Sequence, residues 1–224
     1  MPLGRSENRR ALAALAFLAT AAAAVSPASA HPHVQVTVRT VVVLDQRGEI
    51  EALRHAWTFD EAFSAFSTAG LDTNKDGRLD SAELADLARL NVESLSEYAY
   101  FSFVRTGLRK TGGKAEFSPV TAYRLEHDGR NLTLHFTLPV ANARLPVRDA
   151  RLEVYDPSYF VAFDFAREQP VTVEGGTLSC TAEIKPPPPS VTSRLSQLGE
   201  SFFSSMNTAG DSAEWATPVR FTCK

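Results

Sequence analysis

Short segments in which apolar and polar residues alternate run along most of this chain, and they restrict its fold more than any other feature. Over residues 34–39, three valines alternate with three polar residues, so one face of the segment is apolar. The sequence DQRG at 45–48 is typical of a tight turn between this strand and a second one. Further apolar-rich runs follow from residue 98 onward: YAYFSFVR, EFSPVTAYRLEH, NLTLHFTL, ARLEVYD, YFVAFDF, VTVEG, LSCTAEI and VRFTC. Many short strands at regular spacing predict a mainly antiparallel, sandwich-like β architecture.

Two helical segments are expected to interrupt these strands. Residues 60–69 are predicted to form a helix with Asp60 as its N-cap, and a second helix is predicted over about 82–97. Together with the loop between them, they form a helical insertion at about 60–97. The predicted fold class is therefore α+β.

Turns and breaks complete the predicted fold. HDGR at 127–130 is typical of a hairpin turn, and YDPSYF at 155–160 is expected to be a strand-to-strand turn because Asp-Pro-Ser favours turns. The polyproline stretch KPPPPS at 185–190 is a stiff break in the chain. It leads into a short C-terminal helix predicted near 190–206.

The segment DTNKDGRLDSAE, residues 72–83, matches an EF-hand calcium loop at each diagnostic position. Such loops place oxygen ligands at positions 1, 3, 5, 7, 9 and 12, and a glycine at position 6 where the backbone turns sharply. The ligand positions hold Asp72, Asn74, Asp76, Arg78 (through its carbonyl), Asp80 and Glu83, and position 6 holds Gly77. Hard cations prefer oxygen ligands, so the sequence predicts bound Ca²⁺, although a trivalent lanthanide would fit the same geometry. A lone loop in an exported protein favours a structural role over a switch.

The first thirty residues have the pattern of a secretory signal peptide. Three arginines precede an uncharged apolar run at 11–25, and Ala-Ser-Ala at 28–30 supplies the small residues that signal peptidase requires. The alternative is a retained membrane helix, but the run is short and Pro27 follows it. Cleavage after Ala30 would leave a single exported β-rich domain, residues 31–224, in the periplasm.

Charge and hydropathy limit the possible partners. The chain has a formal net charge of −3, and residues 1–30 contribute three arginines and one glutamate, so the cleaved protein is more acidic still. An acidic balance argues against nucleic acid or an anionic membrane surface as a partner. Beyond residue 30, no apolar run approaches the roughly 20 residues needed to span a bilayer, so no integral membrane segment is expected after cleavage.

The chain has two cysteines, Cys180 and Cys223. In an oxidising compartment an even pair is most simply a disulfide, here between the C-terminal strand and an earlier one. Neither cysteine belongs to a C-x-x-C motif or a Cys/His cluster, so a thiol metal site or a redox role is not expected.

Two of the five histidines, His31 and His33, come directly after the cleavage site. Cleavage would free an α-amine that can chelate one metal ion together with the His31 ring, an arrangement known as a histidine brace. Pro32 has no N–H to lose, which excludes the square-planar copper/nickel motif that needs a deprotonated second amide. Residues two apart in a strand point to the same side, so both rings can converge on a divalent ion such as Ni, Co, Zn or Cu. The alternative is a frayed, polar N-terminus without a metal site.

The expected hairpin register adds two candidate ligands. If Leu44 pairs with Glu49, then His33 lies opposite Asp60, whose carboxylate becomes a third ligand. The same register places His55 on the apolar face as a core histidine, whereas a slip by one residue would turn it outward. Asp60 on the expected register, and His55 if the register slips, therefore join His31 and His33 as candidate transition-metal ligands.

The stretches AHPHV, RHAWTFDEAFSAF, GLDTNKDGRLD, NVESLSEYAYF, LTLHFTLP and LEVYDPSYFV resemble a family of bacterial exported proteins known as domain-of-unknown-function family number one thousand and seven. The resemblance covers essentially residues 31–223. Members are described as the periplasmic component of an uncharacterised ABC-type transport system, and such domains often occur beside nickel/cobalt permeases. The resemblance therefore implies periplasmic transition-metal handling with a membrane metal transporter or permease as partner. It carries over His31, His33, His55 and Trp57 as motif residues.

Three functions fit these observations. The favoured one is a non-enzymatic periplasmic metal-binding accessory protein for transition-metal transport, with a structural calcium site. The first alternative is a calcium-stabilised extracytoplasmic interaction module without a transition-metal role. The second is an oxidative enzyme with a copper histidine brace. No Ser/His/Asp set or spaced pair of acids predicts hydrolysis, so the sequence favours binding over catalysis.

Overall fold

The computed structural model describes residues 33–107, 113–141, 145–158, 160–185 and 216–224, and within them the alternating segments form strands. The strands in chain order are β1 (Val34–Leu44), β2 (Ile50–Phe59), β3 (Ser102–Thr106), β4 (Tyr123–His127), β5 (Leu132–Pro139), β6 (Ala150–Val154), β7 (Val161–Phe165), β8 (Val171–Gly175), β9 (Cys180–Ile184) and β10 (Val219–Cys223). Two α-helices, α1 (Glu61–Thr68) and α2 (Ala85–Ser96), lie between β2 and β3. The α+β class predicted from the sequence is confirmed.

The larger of two sheets has β1 near its centre. Its strand order is β4-β5-β2-β1-β7, and β8 also pairs with β1. The pairings β1–β2, β2–β5 and β4–β5 are antiparallel, but β7 and β8 both run parallel to β1. The sheet is therefore mixed, because the chain crosses from the second sheet before it returns beside β1.

β7 and β8 lie one after the other along β1 and form one edge of the larger sheet, with a short loop between them. Before the interruption, the N–H of Ala166 donates to the carbonyl of Val38, and after it the N–H of Thr40 donates to the carbonyl of Pro170, both at 2.9 Å. Residues 167–169 bulge out between these two bonds, with Gln169 at a φ of 45°. Arg39, Glu168 and Gln169 line a cavity at this interruption.

The second sheet has the order β3-β6-β10-β9. Its apolar side chains share one buried core with those of the larger sheet, including Val104, Leu152 and Val219. Cys180 and Cys223 face each other on β9 and β10 and form the predicted disulfide. Two sheets over one core agree with the sandwich-like prediction.

The predicted register of the β1–β2 hairpin is wrong. Leu44 pairs with Ile50 rather than with Glu49, and a bulge between Val43 and Leu44 shifts the rest of the pairing by one more residue. The reason lies in the turn, where the N–H of Asp45 donates to the carbonyl of Glu49 and so draws Glu49 into the turn. A shift of two residues in total preserves the faces of both strands. The predicted apolar face is therefore observed.

A side-chain cap fixes where α1 begins, whereas α2 begins without one. Asp60 caps α1 by accepting the N–H of Phe63 through Oδ1 at 2.9 Å, as predicted. The second helix begins at Ala85, about three residues later than predicted, because residues 81–84 form a separate turn. One face of α2, with Ala88 and Val92, is buried in the core.

Two predicted segments, the signal peptide at 1–30 and the short helix near 190–206, lie outside the described residues. Within the described ranges, none of the helices has the length and apolar character required to cross a membrane.

Candidate functional site

The loop at residues 72–83 connects α1 to α2 in the helical insertion. Its side chains fold back against its own backbone. The oxygen at each of the first three ligand positions accepts a backbone N–H further along the loop: Asp72 from Gly77 (3.0 Å), Asn74 from Asp76 (2.9 Å) and Asp76 from Arg78 (2.8 Å). The bonds of Asn74 and Asp76 are those of Asx turns, in which a short side chain bonds the backbone two residues further on, whereas that of Asp72 spans five residues. The loop is therefore bent by the residues predicted to bind calcium.

The backbone of this loop supports the predicted sharp turn. Gly77 has a φ of 79°, in the left-handed region that glycine adopts without a steric penalty. Two residues further on, the half-buried side chain of Leu79 packs against the hydrophobic core. This contact anchors the middle of the loop to the sandwich.

Asp80 and Glu83 hold the end of the loop. Asp80 Oδ1 accepts the N–H groups of Ala82 and Glu83 at 2.8 and 2.9 Å, which caps the turn before α2. Glu83 reaches back across the loop, where Oε1 accepts the N–H of Thr73 at 2.8 Å and Oε2 accepts that of Asp80 at 3.2 Å. These backbone bonds, that of Thr73 first, lower the pKa of Glu83 and keep it ionised.

The donor set of this loop suits a hard cation because it consists of carboxylate and amide oxygens. Across the described ranges, however, no three His, Cys, Asp or Glu side chains lie close enough together to share one metal ion. In the loop, backbone N–H groups occupy the oxygens of Glu83 and Asp72. Binding a cation would require these carboxylates to approach one another and to exchange N–H bonds for the ion.

His33 is held at the beginning of β1 by the turn at residues 155–160. Its N–H donates to the carbonyl of Phe160 at 3.0 Å, and the two rings lie 4.7 Å apart between centroids. The carboxylate of Asp156 organises this turn by accepting the N–H groups of Phe160 and Val161 at 3.0 and 2.9 Å. The described residues of YDPSYF thus form the predicted turn, whereas Tyr159 and His31 lie outside the described residues.

His55 is buried in the core and is bonded through both ring nitrogens. Nδ1 lies 3.0 Å from the hydroxyl of Thr40, and Nε2 lies 3.2 Å from that of Ser102. Burial lowers the pKa of His55 to about 3, so its imidazole is neutral at physiological pH. Thr40 lies seven residues along β1 from His33, which separates the two histidines by roughly 23 Å at the usual strand rise. The structure does not bring them together.

Asp60 is engaged by the backbone at the end of the hairpin. While Oδ1 caps α1, Oδ2 accepts the N–H of Gln35 at 2.8 Å, and the Asp60 N–H donates to the carbonyl of Gln35. The carboxylate therefore ties the beginning of β1 to the beginning of α1. It lies at the same end of β1 as His33, with Gln35 in the position opposite Asp60 that the predicted register assigned to His33.

Sequence reasoning did not identify a groove of about 770 Å³ on the side of the larger sheet that faces away from the core. We call it the arginine groove, after three of its lining residues, Arg39, Arg54 and Arg124. In the sequence, each of these arginines occupies a polar position in a segment where apolar and polar residues alternate. Only the cross-strand register shows that they meet on one face.

Comparison with known proteins gives two matches. A family model described as "Protein of unknown function (DUF1007)" matches residues 16–223. An uncharacterised protein of Haemophilus influenzae is 25% identical over 160 residues, which cover 70% of this chain and 74% of that protein. Both matches agree with the resemblance found in the sequence, and neither relative carries an assigned activity.

Proposed function

We propose that this chain, which belongs to the DUF1007 family of proteins of unknown function, is a periplasmic metal-binding accessory protein. In this proposal, residues 72–83 form a structural calcium site. The observation that carries this proposal is the loop, in which each acidic or amide side chain at a predicted ligand position already bends the backbone as described above. The proposed role is binding rather than catalysis.

The loop's position supports a structural role for calcium. It joins α1 to α2, and its core contacts are made by Leu79 and, just after the loop, by the buried Leu84. The loop carries Asp72, Asp76, Asp80 and Glu83 close together in the chain, and these like charges repel one another unless a cation balances them. Calcium would therefore fix the insertion against the sandwich.

The transition-metal part of the proposal is restricted to the N-terminus. His55 is too far from His33 to share an ion, and both oxygens of Asp60 accept backbone N–H groups. A site would therefore consist of His31, His33 and the α-amine released by cleavage after Ala30. The contact with Phe160 supports this proposal because it holds His33 in a defined place at the beginning of β1. From there the protein would receive a divalent transition metal from, or deliver it to, a membrane transporter.

Calcium titration tests the central part of the proposal. We expect Ca²⁺ to bind and to raise the melting temperature of the wild-type protein, and Glu83→Gln to abolish both effects. A site with a Kd of about 10⁻⁴–10⁻³ M adds about 1.4–2.7 kcal/mol of stability at about 10 mM free Ca²⁺. Binding would be measured by isothermal titration calorimetry, and stability by thermal unfolding monitored with circular dichroism.

Glu93→Gln is the matched control, because Glu93 is an exposed carboxylate on α2 that pairs with Arg89 outside the loop. It should retain the full calcium response. If Glu83→Gln and Glu93→Gln respond equally, calcium binds elsewhere and the loop assignment is wrong. If the wild-type protein shows no response, the calcium site itself is refuted.

A further inference from the structure

The arginine groove lies on four adjacent strands of the larger sheet. Arg39 on β1 pairs with Ala56 on β2, Ala56 with His135 on β5, and His135 with Arg124 on β4. Strands lie about 4.8 Å apart, so Arg39 and Arg124 stand at the two ends of a row about 14 Å long. The small side chain of Ala56 inside this row leaves the depression between them.

A third guanidinium faces the same depression. Arg54 lies on β2 two residues before Ala56, so both side chains point to the same face of the sheet. Val41 and Thr137 flank Arg54 on the neighbouring strands. The side chains that form the floor of the groove are therefore small and partly apolar, and the arginines lie at its margins.

The charges in the arginine groove are only partly balanced. Arg54 pairs with Glu174, and Arg124 pairs with Glu126, which also contacts His135 at 3.0 Å. Arg39 makes no ion pair with any residue in the described part of the chain. Both arginine–glutamate pairs are solvent-exposed, and exposed ion pairs are weak, so an incoming anion can replace them. The groove is a cationic region on a chain whose net charge is −3.

We propose that the arginine groove binds a small anionic molecule that carries carboxylate or phosphate groups, held between Arg39, Arg54 and Arg124. Guanidinium groups recognise both kinds of group through paired, charge-assisted hydrogen bonds. The volume of about 770 Å³ lies within the range of about 300–1,000 Å³ that is usual for small-molecule sites. This site is separate from the calcium loop and the N-terminal histidines, so it does not depend on the proposed function.

His135 provides a reporter inside the groove. Burial and the positive charge of Arg124 lower its pKa, while Glu126 opposes this effect. An anion bound beside the ring would favour the protonated imidazole and raise that pKa. The His135 resonance should therefore shift on binding, and its pH titration should move upward.

The test uses inorganic phosphate and citrate in separate titrations at constant ionic strength, followed by the His135 resonance and by calorimetry. The double variant Arg39→Gln/Arg54→Gln removes two of the three guanidinium groups. We expect it to weaken binding by at least about tenfold, as expected for the loss of charge-assisted hydrogen bonds. Arg220→Gln is the control, since Arg220 is exposed on β10 of the other sheet and should leave binding unchanged.

A second variant, Ala56→Leu, fills the floor of the groove without changing its charge. It should also weaken binding, which separates a shaped site from diffuse attraction to positive charge. Saturable binding of phosphate alone or of citrate alone would support the site and identify which group it recognises. Equal binding by wild type and double variant, or no saturable binding of either anion at millimolar concentration, would overturn the proposal.

Discussion

His55 and Thr40 face each other across the central hairpin, and the imidazole Nδ1 lies 3.0 Å from the threonine hydroxyl. With Ser102 on the other ring nitrogen, the buried ring has a hydrogen-bond partner on each side. A buried imidazole with two hydroxyl partners can remain neutral without leaving a polar atom unsatisfied. This arrangement links the stability of the fold to pH.

The first prediction concerns acid stability. The folded-state pKa of His55 is about 3 and the value in the unfolded chain is about 6.5, so between these values only the unfolded chain binds the proton. Stability should therefore be complete above about pH 6.5 and fall as pH decreases, by up to about 1.4 kcal/mol per pH unit from this residue. Urea unfolding between about pH 7 and pH 5, above most carboxylate titrations, would measure the slope.

His55→Gln provides the control for this prediction. Its amide can still bond the hydroxyls of Thr40 and Ser102 but cannot take up a proton in this range. The variant should show a flatter dependence of unfolding free energy on pH than the wild type. Identical slopes would mean that His55 does not control acid stability.

The second prediction concerns the carboxylate that joins β1 to α1. Asp60→Ala removes the cap of α1 and the acceptor for Gln35 N–H, so it should lower the free energy of unfolding by about 2 kcal/mol. Chemical denaturation would measure the loss. Asp86→Ala, in the exposed first turn of α2, should cost much less. A comparable loss in both variants would argue against the double role of Asp60.

The third prediction concerns a buried charge in the smaller sheet. Glu153 is 1% exposed and is paired with Arg105 at 2.8 Å and with Arg151 at 3.0 Å. Glu153→Ala would leave two partly buried guanidinium groups without this partner, so it should destabilise the fold by about 3 kcal/mol. Glu183→Ala, at an exposed position on β9, is the control and should change stability by less than about 1 kcal/mol. Thermal unfolding that cannot distinguish the two variants would contradict this account of Glu153.

The fourth prediction tests the N-terminal metal site. Protein that begins at His31 should bind copper, nickel, cobalt or zinc with one-to-one stoichiometry, and one additional residue before His31 should abolish this binding, because it removes the free amine from the chelate. Calorimetric titration of both proteins with each metal would measure the affinity and the stoichiometry of binding. Equal binding by both would place the site on side chains alone. Absence of binding in both would refute the transition-metal role and favour the calcium-stabilised interaction module.

Local patterns predicted much of the fold correctly. Period-two alternation located the strands, because successive side chains of a strand point to opposite faces whatever the strand pairs with. Asp60 was recognisable as a cap, since an N-cap bonds within the first turn of its own helix. The EF-hand spacing located a loop that does bend on its own side chains. Its ability to bind calcium stays a prediction.

Long-range relationships were not predictable in the same way. The turn that contains Glu49 and the bulge at Val43 and Leu44 together shifted the register by two residues and placed Gln35, rather than His33, next to Asp60. The burial of Glu153 depends in the same way on the pairing of β6 with β3, which brings Arg105 to its carboxylate from 48 residues away in the chain. The arginine groove likewise depends on strand pairing, because Arg124 on β4 meets Arg39 and Arg54 of the first hairpin only through β5.

By itself, then, the sequence determined where the strands, the helical insertion, the disulfide and the acidic loop lie. The reason is that each of these depends on residue types within a few positions or on a single pair of cysteines. The core position of His55 was also predicted, from the apolar face of the first hairpin, and is confirmed. Only the tertiary structure decided that β7 and β8 run parallel to β1, that Thr40 and Ser102 bond the His55 ring, and that three arginines share one groove. Those outcomes depend on which strands pair and in what register, and the free energy that selects the pairing is distributed over the whole core.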